Sequence, residues 1–335
     1  MANPLGLATG AVAGTALVWW GSELLESASQ RISAHYGLPA VVHGAAVVAV
    51  GSSFPELAST VLSTLVHGQF DLGVGTIVGS AIFNVLVIPA LSTLLSRPMS
   101  ANRDLVYKEA LFYMLSVAVL LLTFSFGVIY FPADGRLVAT VPRSLAFVPV
   151  LLYGLYAFIQ YQDTSDHDAG DAPSDVDPGR QWLRLGTSLF VVVVGVELLV
   201  RAAIGFGELF GTPPFLWGLT VVAAGTSLPD AFVSVRAARD DQAVTSLANV
   251  LGSNVFDLLV AIPAGVLVAG SATVDYAAAV PMMGFLTLST LVLFTAMRTD
   301  LELTTREARL LLGVYAVFLA WMAAETAGVT AFVPR

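Results

Sequence analysis

The sequence predicts an all-α integral membrane protein in which ten transmembrane helices form two inverted five-helix repeats, with broken helices at the membrane midplane. Three observations predict this fold class: an apolar composition, apolar runs long enough to cross a bilayer, and polar motifs that occur once in each half. Hydrophobic residues make up 56% of the 335 residues and charged residues 12%, which is about half the charged share of a soluble domain. We therefore expect lipid to surround most of the surface.

Ten apolar segments follow one another along the chain. They are continuous, whereas the strands of a membrane barrel alternate apolar and polar residues, so helices are predicted. Nearly all have the roughly 20 residues that a helix needs to cross the hydrocarbon core. The predicted spans lie near residues 5–25, 38–66, 72–96, 105–126, 144–161, 182–204, 214–236, 243–269, 274–297 and 307–328.

An acidic segment divides the spans into two groups of five. Residues 163–181 contain six aspartates together with glycine and proline, a composition that cannot bury apolar surface and is typical of a solvated linker. We expect a first five-helix repeat at residues 1–162, an acidic linker at 163–181 and a second repeat at 182–335.

The basic residues predict the orientation. If the N-terminus lies outside, eleven of the 15 Lys and Arg residues fall on the cytoplasmic side, as the positive-inside rule requires. We expect a multi-pass protein of the cell (plasma) membrane with both termini outside and the acidic linker in the cytoplasm.

Two polar motifs occur in both halves in the same order. Gly51–Glu56 (GSSFPE) matches Gly225–Asp230 (GTSLPD) at an offset of 174 residues, and Gly79–Asn84 (GSAIFN) matches Gly252–Asp257 (GSNVFD) at an offset of 173. Because each half has an odd number of spans, the second copy enters the membrane upside down. Inverted repeats of this kind are a recurring transporter architecture, with the substrate site near the midplane between the copies.

The first motif pair brings oxygen ligands to the middle of a span. Pro55 and Pro229 each remove a backbone donor and leave a carbonyl without its helical partner. Carbonyls, hydroxyls and carboxylates are the hard ligands that Na⁺ and Ca²⁺ prefer. A proline kink that only shapes a packed helix is the alternative, but it leaves Glu56 and Asp230 unexplained, because an unpaired carboxylate at the bilayer centre costs about 2.5–3.5 kcal/mol.

The second motif pair adds further polar atoms. Ser80 and Asn84, like Ser253 and Asp257, are four residues apart and share one helix face. Small residues also permit close helix packing, and Asn or Asp can join helices by hydrogen bonds. Both roles can hold at once: we expect the glycines to pack helices and the polar atoms to bind ions.

The two motif blocks resemble the alpha repeats of the calcium/cation antiporter superfamily. GSSFPELAST and GTIVGSAIFNVLVI in the first half are similar to sodium/calcium exchangers, and AAGTSLPDAFVSVRAAR and SNVFDLLVAIP in the second are similar to the potassium-dependent ones. The large regulatory domain of the animal exchangers is missing, because the linker is too short to contain it. The resemblance implies that spans two, three, seven and eight carry the ion ligands and that spans one and six slide across them as a gate. It implies as metal ligands Ser52, Ser53, Glu56, Ser80, Asn84, Thr226, Ser227, Asp230, Ser253 and Asp257.

The resemblance also raises the question of potassium. In potassium-dependent exchangers an aspartate stands at the position of Asp257, but some potassium-independent members have one too. Cotransport of K⁺ is therefore left open, as is protonation of Asp257 when Ca²⁺ is bound.

A weaker repeat places Glu23 and Glu197 on the two gate spans. Because Arg201 follows Glu197 by four residues, we expect a local ion pair there rather than an ion ligand.

We predict a secondary-active antiporter that exchanges Ca²⁺ for Na⁺ by alternating access, and not an enzyme. No catalytic residue or cofactor is expected, and the expected partners are the lipid bilayer and the transported cations, with no obligate protein partner evident. No basic stripe suits nucleic acid, no GxxxxGK[ST] phosphate loop suits a primary pump, and the lack of cysteine excludes thiolate metal sites.

Two other functions remain as alternatives. A proton/calcium exchanger could use the same carboxylates, although the hydroxyl-rich set of ligands favours Na⁺. An intramembrane hydrolase could use buried aspartates or Ser53 as a nucleophile, but the YD and GxGD signatures are missing. The four histidines fall in loops or near span ends, and none accompanies Ser53 in a recognisable motif.

Overall fold

The computed structural model describes residues 3–36, 49–96, 98–103, 105–164, 177–240 and 242–333, and these residues are mostly helical. A π-helical turn at Leu105–Glu109 precedes the helix that begins at Ala110, and two further π turns, at Gly218–Val222 and Asp257–Ala261, lie within longer helices. The helices are α1 Pro4–His35, α2 Ala49–Ser52, α3 Phe54–Leu65, α4 Phe70–Leu95, α5 Ala110–Tyr130, α6 Arg143–Thr164, α7 Pro178–Phe210, α8 Pro214–Arg239, α9 243–269, α10 Tyr276–Arg298 and α11 Thr305–Thr326. The strands are β1 Met99–Ser100, β2 Val138–Pro142, β3 Ser271–Asp275 and β4 Glu302–Leu303.

Eight helices within the described residues are long and apolar enough to cross a membrane, so the chain is a multi-pass membrane protein. They are α4 to α11 and correspond to the third to tenth predicted spans. The first predicted span falls within α1, which is not among the eight. The second, 38–66, is described only from residue 49 and is interrupted at Ser53. The count of ten spans stays a prediction.

Local capping sets the ends of α7, which is longer than predicted. Asp177 precedes Pro178 at the first helical position, and its Oδ1 accepts a hydrogen bond from the Arg180 amide, as an N-cap requires. Gly211 ends the helix in the left-handed conformation, at φ 62°. Because α6 continues to Thr164, only residues 165–177 of the predicted linker separate the two helices, and 165–176 lie outside the described residues.

Two short strand pairs join the halves and mark the two sides of the molecule. The pair β1–β4 lies where α4 ends, and the pair β2–β3 lies where α4 begins, since the Asp275 amide donates to Asp71 Oδ1. The 26 residues of α4 span about 39 Å between them. Strand β1 follows the third predicted span and β3 the eighth, while β2 follows the fourth and β4 the ninth. In the repeat β1 therefore corresponds to β3 and β2 to β4, and exchanging the two halves converts one strand pair into the other. A twofold axis in the membrane plane would produce this exchange.

Helix α4 lies at the centre, and α5 to α7 form part of the surface. The most apolar stretch of α4 is 94% buried, whereas that of α6 is 17% buried. Large exposed side chains, including Leu111, Leu151 and Phe190, cover α5, α6 and α7. A surface of this kind suits lipid rather than water.

Helices α1 and α7 cross at two glycines that correspond in the repeat. A Cβ on Gly21 would lie 2.7 Å from Val192 Cγ2, and a Cβ on Gly195 would lie 2.9 Å from the Val18 amide nitrogen. Val18 and Val192 are 174 residues apart, as are the two glycines. The same close contact therefore occurs twice, with the roles of the two helices exchanged.

Candidate ion-binding site

The first motif forms a helix break, as predicted. Helix α2 ends at Ser52 and α3 begins at Phe54, with Ser53 between them at φ −89° and ψ 6°. Pro55 lies in the first turn of α3, where its missing N–H costs least. The break places Glu56 in the same first turn, where only 1% of its surface is exposed.

The second motif is not broken in the same way. Helix α8 continues through residues 225–230 with Pro229 inside it, and its irregular turn lies upstream at Gly218–Val222. The prediction of broken helices is thus correct for the first copy and wrong for the second. Proline removes one donor and displaces one carbonyl, that of Gly225, and the helix tolerates this without ending. A further π turn in α9 begins at Asp257, and such turns are frequent at functional sites.

Ser80 joins the two motif copies directly. Its Oγ donates to Glu56 Oε1 at 3.3 Å and lies 2.7 Å from Ser227 Oγ. The Thr226 side chain also interacts with Glu56. Predicted ligands on α3, α4 and α8 are therefore in contact, and Ser80, Ser227 and Thr226 are fully or almost fully buried.

Ser53 connects the break to α9. Its Oγ donates to the Ser253 carbonyl oxygen at 3.4 Å, and its side chain also interacts with Asp257. The Ser253 hydroxyl donates to the Val250 carbonyl within its own helix. The fourth helix of the predicted site is thereby joined to the other three.

Three carboxylates from the two halves interact electrostatically. Glu56 interacts with both Asp230 and Asp257, and the two aspartates interact with each other. Asp257 is 1% exposed, and its Oδ1 has no hydrogen-bond partner; Glu56 Oε2 is likewise unpartnered. In the described part of the chain, no group of three or more His, Cys, Asp or Glu side chains suits a metal ion by itself. A cation held here would need the hydroxyl and amide oxygens as well.

Asn84 reveals a residue that the sequence analysis missed. Its Nδ2 donates to Asn254 Oδ1 at 2.8 Å, while its own Oδ1 is buried without a partner. Asn254 corresponds to Ala81 in the first half. The signal was present in the alignment of the motifs, because Asn254 is a polar residue where the other copy has an apolar one.

A cavity of about 570 Å³ reaches this cluster from the β1–β4 side. Ser52 and Asp230 line it at the cluster, and Glu23, Arg236 and Arg239 line it farther out. Hydrogen bonds or electrostatic interactions thus link seven of the ten predicted ligands: Ser53, Glu56, Ser80, Thr226, Ser227, Ser253 and Asp257. Ser52 and Asp230 line the cavity. Asn84 is buried one turn after Ser80 on α4.

An ion pair lies on the opposite, β2–β3 side. Glu197 Oε1 lies 2.6 Å from Arg201 Nε, as expected from the sequence, and Glu197 Oε2 lies 3.1 Å from His67 Nε2. The pair joins α7 to the segment between α3 and α4.

Comparison with known proteins agrees with this arrangement. The chain is 29% identical over 256 residues to "Inner membrane protein YrbG" of Escherichia coli, covering 74% of this chain and 76% of that protein. It is 28% identical over 270 residues to "Sodium/calcium exchanger MaX1" of Methanosarcina acetivorans, covering 71% and 76%. It is 26% identical to human "Sodium/potassium/calcium exchanger 5", covering 68% and 63%.

The fold also matches a solved exchanger. A structure of the sodium-calcium exchanger NCX_Mj aligns with a TM-score of 0.62 at 23% identity, covering 95% of this chain and 99% of that one. The profile of the family described as sodium/calcium exchanger protein matches residues 7–162 and 180–324. These ranges include both motif copies and most of each half. The chain belongs to the sodium/calcium exchanger protein family.

Proposed function

We propose that this chain exchanges Ca²⁺ for Na⁺ across the membrane by alternating access, with the ten clustered residues as ion ligands. The observation that carries the proposal is the convergence of Glu56, Asp257 and hydroxyls from both halves in one buried cluster, with Asp230 at its edge where the cavity opens. Two carboxylate oxygens and one amide oxygen there have no protein partner. Buried oxygens of this kind are normally satisfied, and a cation would satisfy them.

Charge explains why the transport is an exchange. With all three carboxylates ionised, the empty cluster carries three negative charges in a low-dielectric interior, where unpaired charges cost several kcal/mol each, by the usual order of magnitude. A bound Ca²⁺ or several Na⁺ ions offset most of this charge. Only the ion-loaded protein then switches between the inward-open and outward-open conformations. Because Ca²⁺ and Na⁺ use the same ligands, one ion must leave before the other binds.

The architecture that supports the proposal is two inverted repeats of five spans. The exchanged strand pairs and the matched crossings Gly21–Val192 and Gly195–Val18 favour a twofold relation between the halves. With the N-terminus outside, the cavity on the β1–β4 side opens to the cytoplasm, and Arg236 and Arg239 lie at its cytoplasmic end. The conformation described here is then the inward-open one.

The test is counterflow in proteoliposomes. Vesicles loaded with Na⁺ and diluted into Na⁺-free buffer should take up labelled Ca²⁺, and vesicles loaded with choline should not. Glu56→Gln and Asp230→Asn should each abolish uptake, because each removes a charge and weakens a ligand. Folding is checked by size-exclusion chromatography. Uptake that follows an imposed pH gradient and ignores Na⁺ would instead establish the proton/calcium exchanger.

Potassium cotransport is a second candidate that rests on Asp257. One Ca²⁺ leaves a single negative charge in the cluster, and the unpartnered Oδ1 of Asp257 could bind a monovalent cation. Replacing K⁺ with choline on both sides of the vesicle tests this. Unchanged Ca²⁺ flux would exclude cotransport, and flux that requires K⁺ on the Ca²⁺ side would establish it.

A further inference from the structure

A row of buried polar side chains leads away from the cluster at Asn84. Asn84 Nδ2 donates to Asn254 Oδ1 at 2.8 Å, and Asn254 Nδ2 donates to the Tyr113 hydroxyl at 3.3 Å. The Tyr113 hydroxyl also interacts with the side chain of Thr290. These four residues lie on α4, α9, α5 and α10, and each is at most 1% exposed.

Two amide donors follow one another in this row. Asn84 Nδ2 donates to Asn254 Oδ1, and Asn254 Nδ2 donates to the Tyr113 hydroxyl oxygen. Because a tyrosine oxygen can accept this bond, Asn254 has its NH₂ group on Tyr113 and presents its Oδ1 to Asn84. The Thr290 hydroxyl donates within its own helix, to the Leu286 carbonyl at 2.7 Å.

In this arrangement the Asn84 NH₂ group faces Asn254, and its Oδ1 is buried without a protein partner. Ser80, which contacts Glu56, lies one turn earlier on the same helix. The reverse orientation of the amide would replace the unpartnered oxygen with N–H donors. For a cation site this matters, because an N–H repels the ion that the oxygen would bind.

The repeat supplies an independent argument. The counterpart of Asn84 in the second half is Asp257, and the counterpart of Asn254 in the first half is Ala81. The Asp257 carboxylate has oxygen at both terminal positions and needs no orientation, and the residue that corresponds to Asn254 in the other half is the apolar Ala81. The Asn84 amide must be oriented, and its neighbour is Asn254.

We propose that Asn254 and Tyr113 are positioning residues that hold the Asn84 amide with its Oδ1 toward the transported cation. The inference rests on the proposed function and adds two residues that do not themselves ligate the ion. They resemble the side chains that hold metal ligands in place by hydrogen bonds. Loss of such a supporting side chain typically lowers metal affinity by roughly 10–100-fold.

The test compares Asn254→Ala and Tyr113→Phe with a matched control. Tyr276→Phe also removes a tyrosine hydroxyl bond between α5 and α10, that to Ser125 Oγ at 2.7 Å, but it lies at the start of α10, away from the cluster. The half-saturating Ca²⁺ concentration for Na⁺-driven uptake should rise about tenfold in Asn254→Ala and severalfold in Tyr113→Phe, with little change in maximal rate. Tyr276→Phe should leave it unchanged.

A double-mutant cycle separates orientation from general packing. In an Asn84→Asp background the side chain has no amide to orient, so Asn254→Ala should cause no further rise. Equal losses in both backgrounds, or a wild-type Ca²⁺ dependence of Asn254→Ala, would overturn the proposal. If Asn254→Ala does not fold, Tyr113→Phe carries the same test.

The failure of this inference can be told from the failure of the proposed function. Ca²⁺ binding to the purified wild-type protein is measured by titration calorimetry alongside the flux. A wild type that neither binds nor exchanges Ca²⁺ would overturn both proposals. If the wild type does both but Asn254→Ala and Tyr113→Phe behave like Tyr276→Phe, the positioning role alone would be overturned.

Discussion

Asp257 and Asn84 occupy corresponding positions in the two halves and differ by one heavy atom, and that difference sets the charge of the cluster. Asp257 is buried with an unpartnered oxygen and interacts with both other carboxylates. Asparagine at 257 would keep one oxygen ligand and remove one negative charge. Because the neighbour at the position corresponding to Asn254 is Ala81, the new amide would have no matching partner to orient it.

We therefore expect Asp257→Asn to weaken Ca²⁺ exchange without abolishing it. The half-saturating Ca²⁺ concentration should rise by about tenfold, and any dependence on K⁺ should disappear, since the residual charge after Ca²⁺ binding is removed. Ca²⁺ uptake with and without K⁺ in proteoliposomes checks both effects. A variant that folds but transports no cation at all would contradict this division of roles between Asp257 and the other two carboxylates.

The residue types of the cluster could be predicted from the sequence, but their connections could not. Glu56 and Asp230 stand out because carboxylates inside apolar spans are costly and occur in matching positions. Asn254 was not singled out, because its role depends on Tyr113 and Thr290, which are 141 and 36 residues away along the chain. No local pattern connects these three. The choice of the ten residues as ligands stays a prediction that the transport experiments test.

At the scale of the helices, the length and continuity of the apolar runs predicted α4 to α11 closely. The predicted start of the ninth span, for example, agrees with the start of α10, because Asp275 caps this helix by accepting hydrogen bonds from the Ala277 and Ala278 amides. The π turns at Gly218–Val222 and Asp257–Ala261 were not predicted. A π turn depends on a one-residue shift in backbone bonding that tertiary packing imposes, and a hydrophobic pattern does not record it.

The crossing of α1 and α7 depends on glycine at position 195. An alanine Cβ there would lie 2.9 Å from the Gly14 carbonyl oxygen and from the Val18 amide nitrogen, and neither backbone atom can move aside alone. We expect Gly195→Ala to lower the free energy of unfolding by about 1–3 kcal/mol, as overpacking does. Thermal unfolding in detergent measures this. Transport rate should fall as well, because α1 and α7 are the proposed gate helices.

Gly186 provides the matched control on the same helix. A Cβ on Gly186 would meet no atom within 4 Å, so Gly186→Ala should leave stability unchanged or raise it by up to about 1 kcal/mol through helix propensity. Equal destabilisation by both substitutions would mean that the loss of glycine itself, and not the close crossing, is responsible.

At the scale of the whole molecule, the two sides of the cluster are in different states. On the β1–β4 side the cavity is open, and exposed Glu23 lines it together with Arg236 and Arg239. On the β2–β3 side Glu197, which corresponds to Glu23 in the repeat, is paired with His67 and Arg201. If the two halves exchange conformations during transport, the Glu197–His67 contact must break when the β2–β3 side opens.

This asymmetry predicts that Glu197→Gln shifts the protein away from the conformation described here. The substitution weakens contacts that join α7 to the segment before α4, and partly exposed ion pairs of this kind contribute about 0.2–1 kcal/mol each. Loss of that amount changes the equilibrium constant between two conformations by about 1.4-fold to fivefold. The wild-type chain has no cysteine, so a single cysteine at Val235, which lines the open cavity, reports cavity access without background. In detergent, labelling of Val235→Cys by a charged thiol reagent should slow in Glu197→Gln, by at most that factor, because the rate follows the fraction of protein whose cavity is open. The rate should not change in Glu208→Gln, which removes an exposed carboxylate near the β2–β3 end of α7.

Labelling that stays constant or becomes faster in Glu197→Gln would show that the ion pair does not hold the β2–β3 side closed. Weakening a contact that closes the β2–β3 side can only favour opening on that side and closure of the labelled cavity.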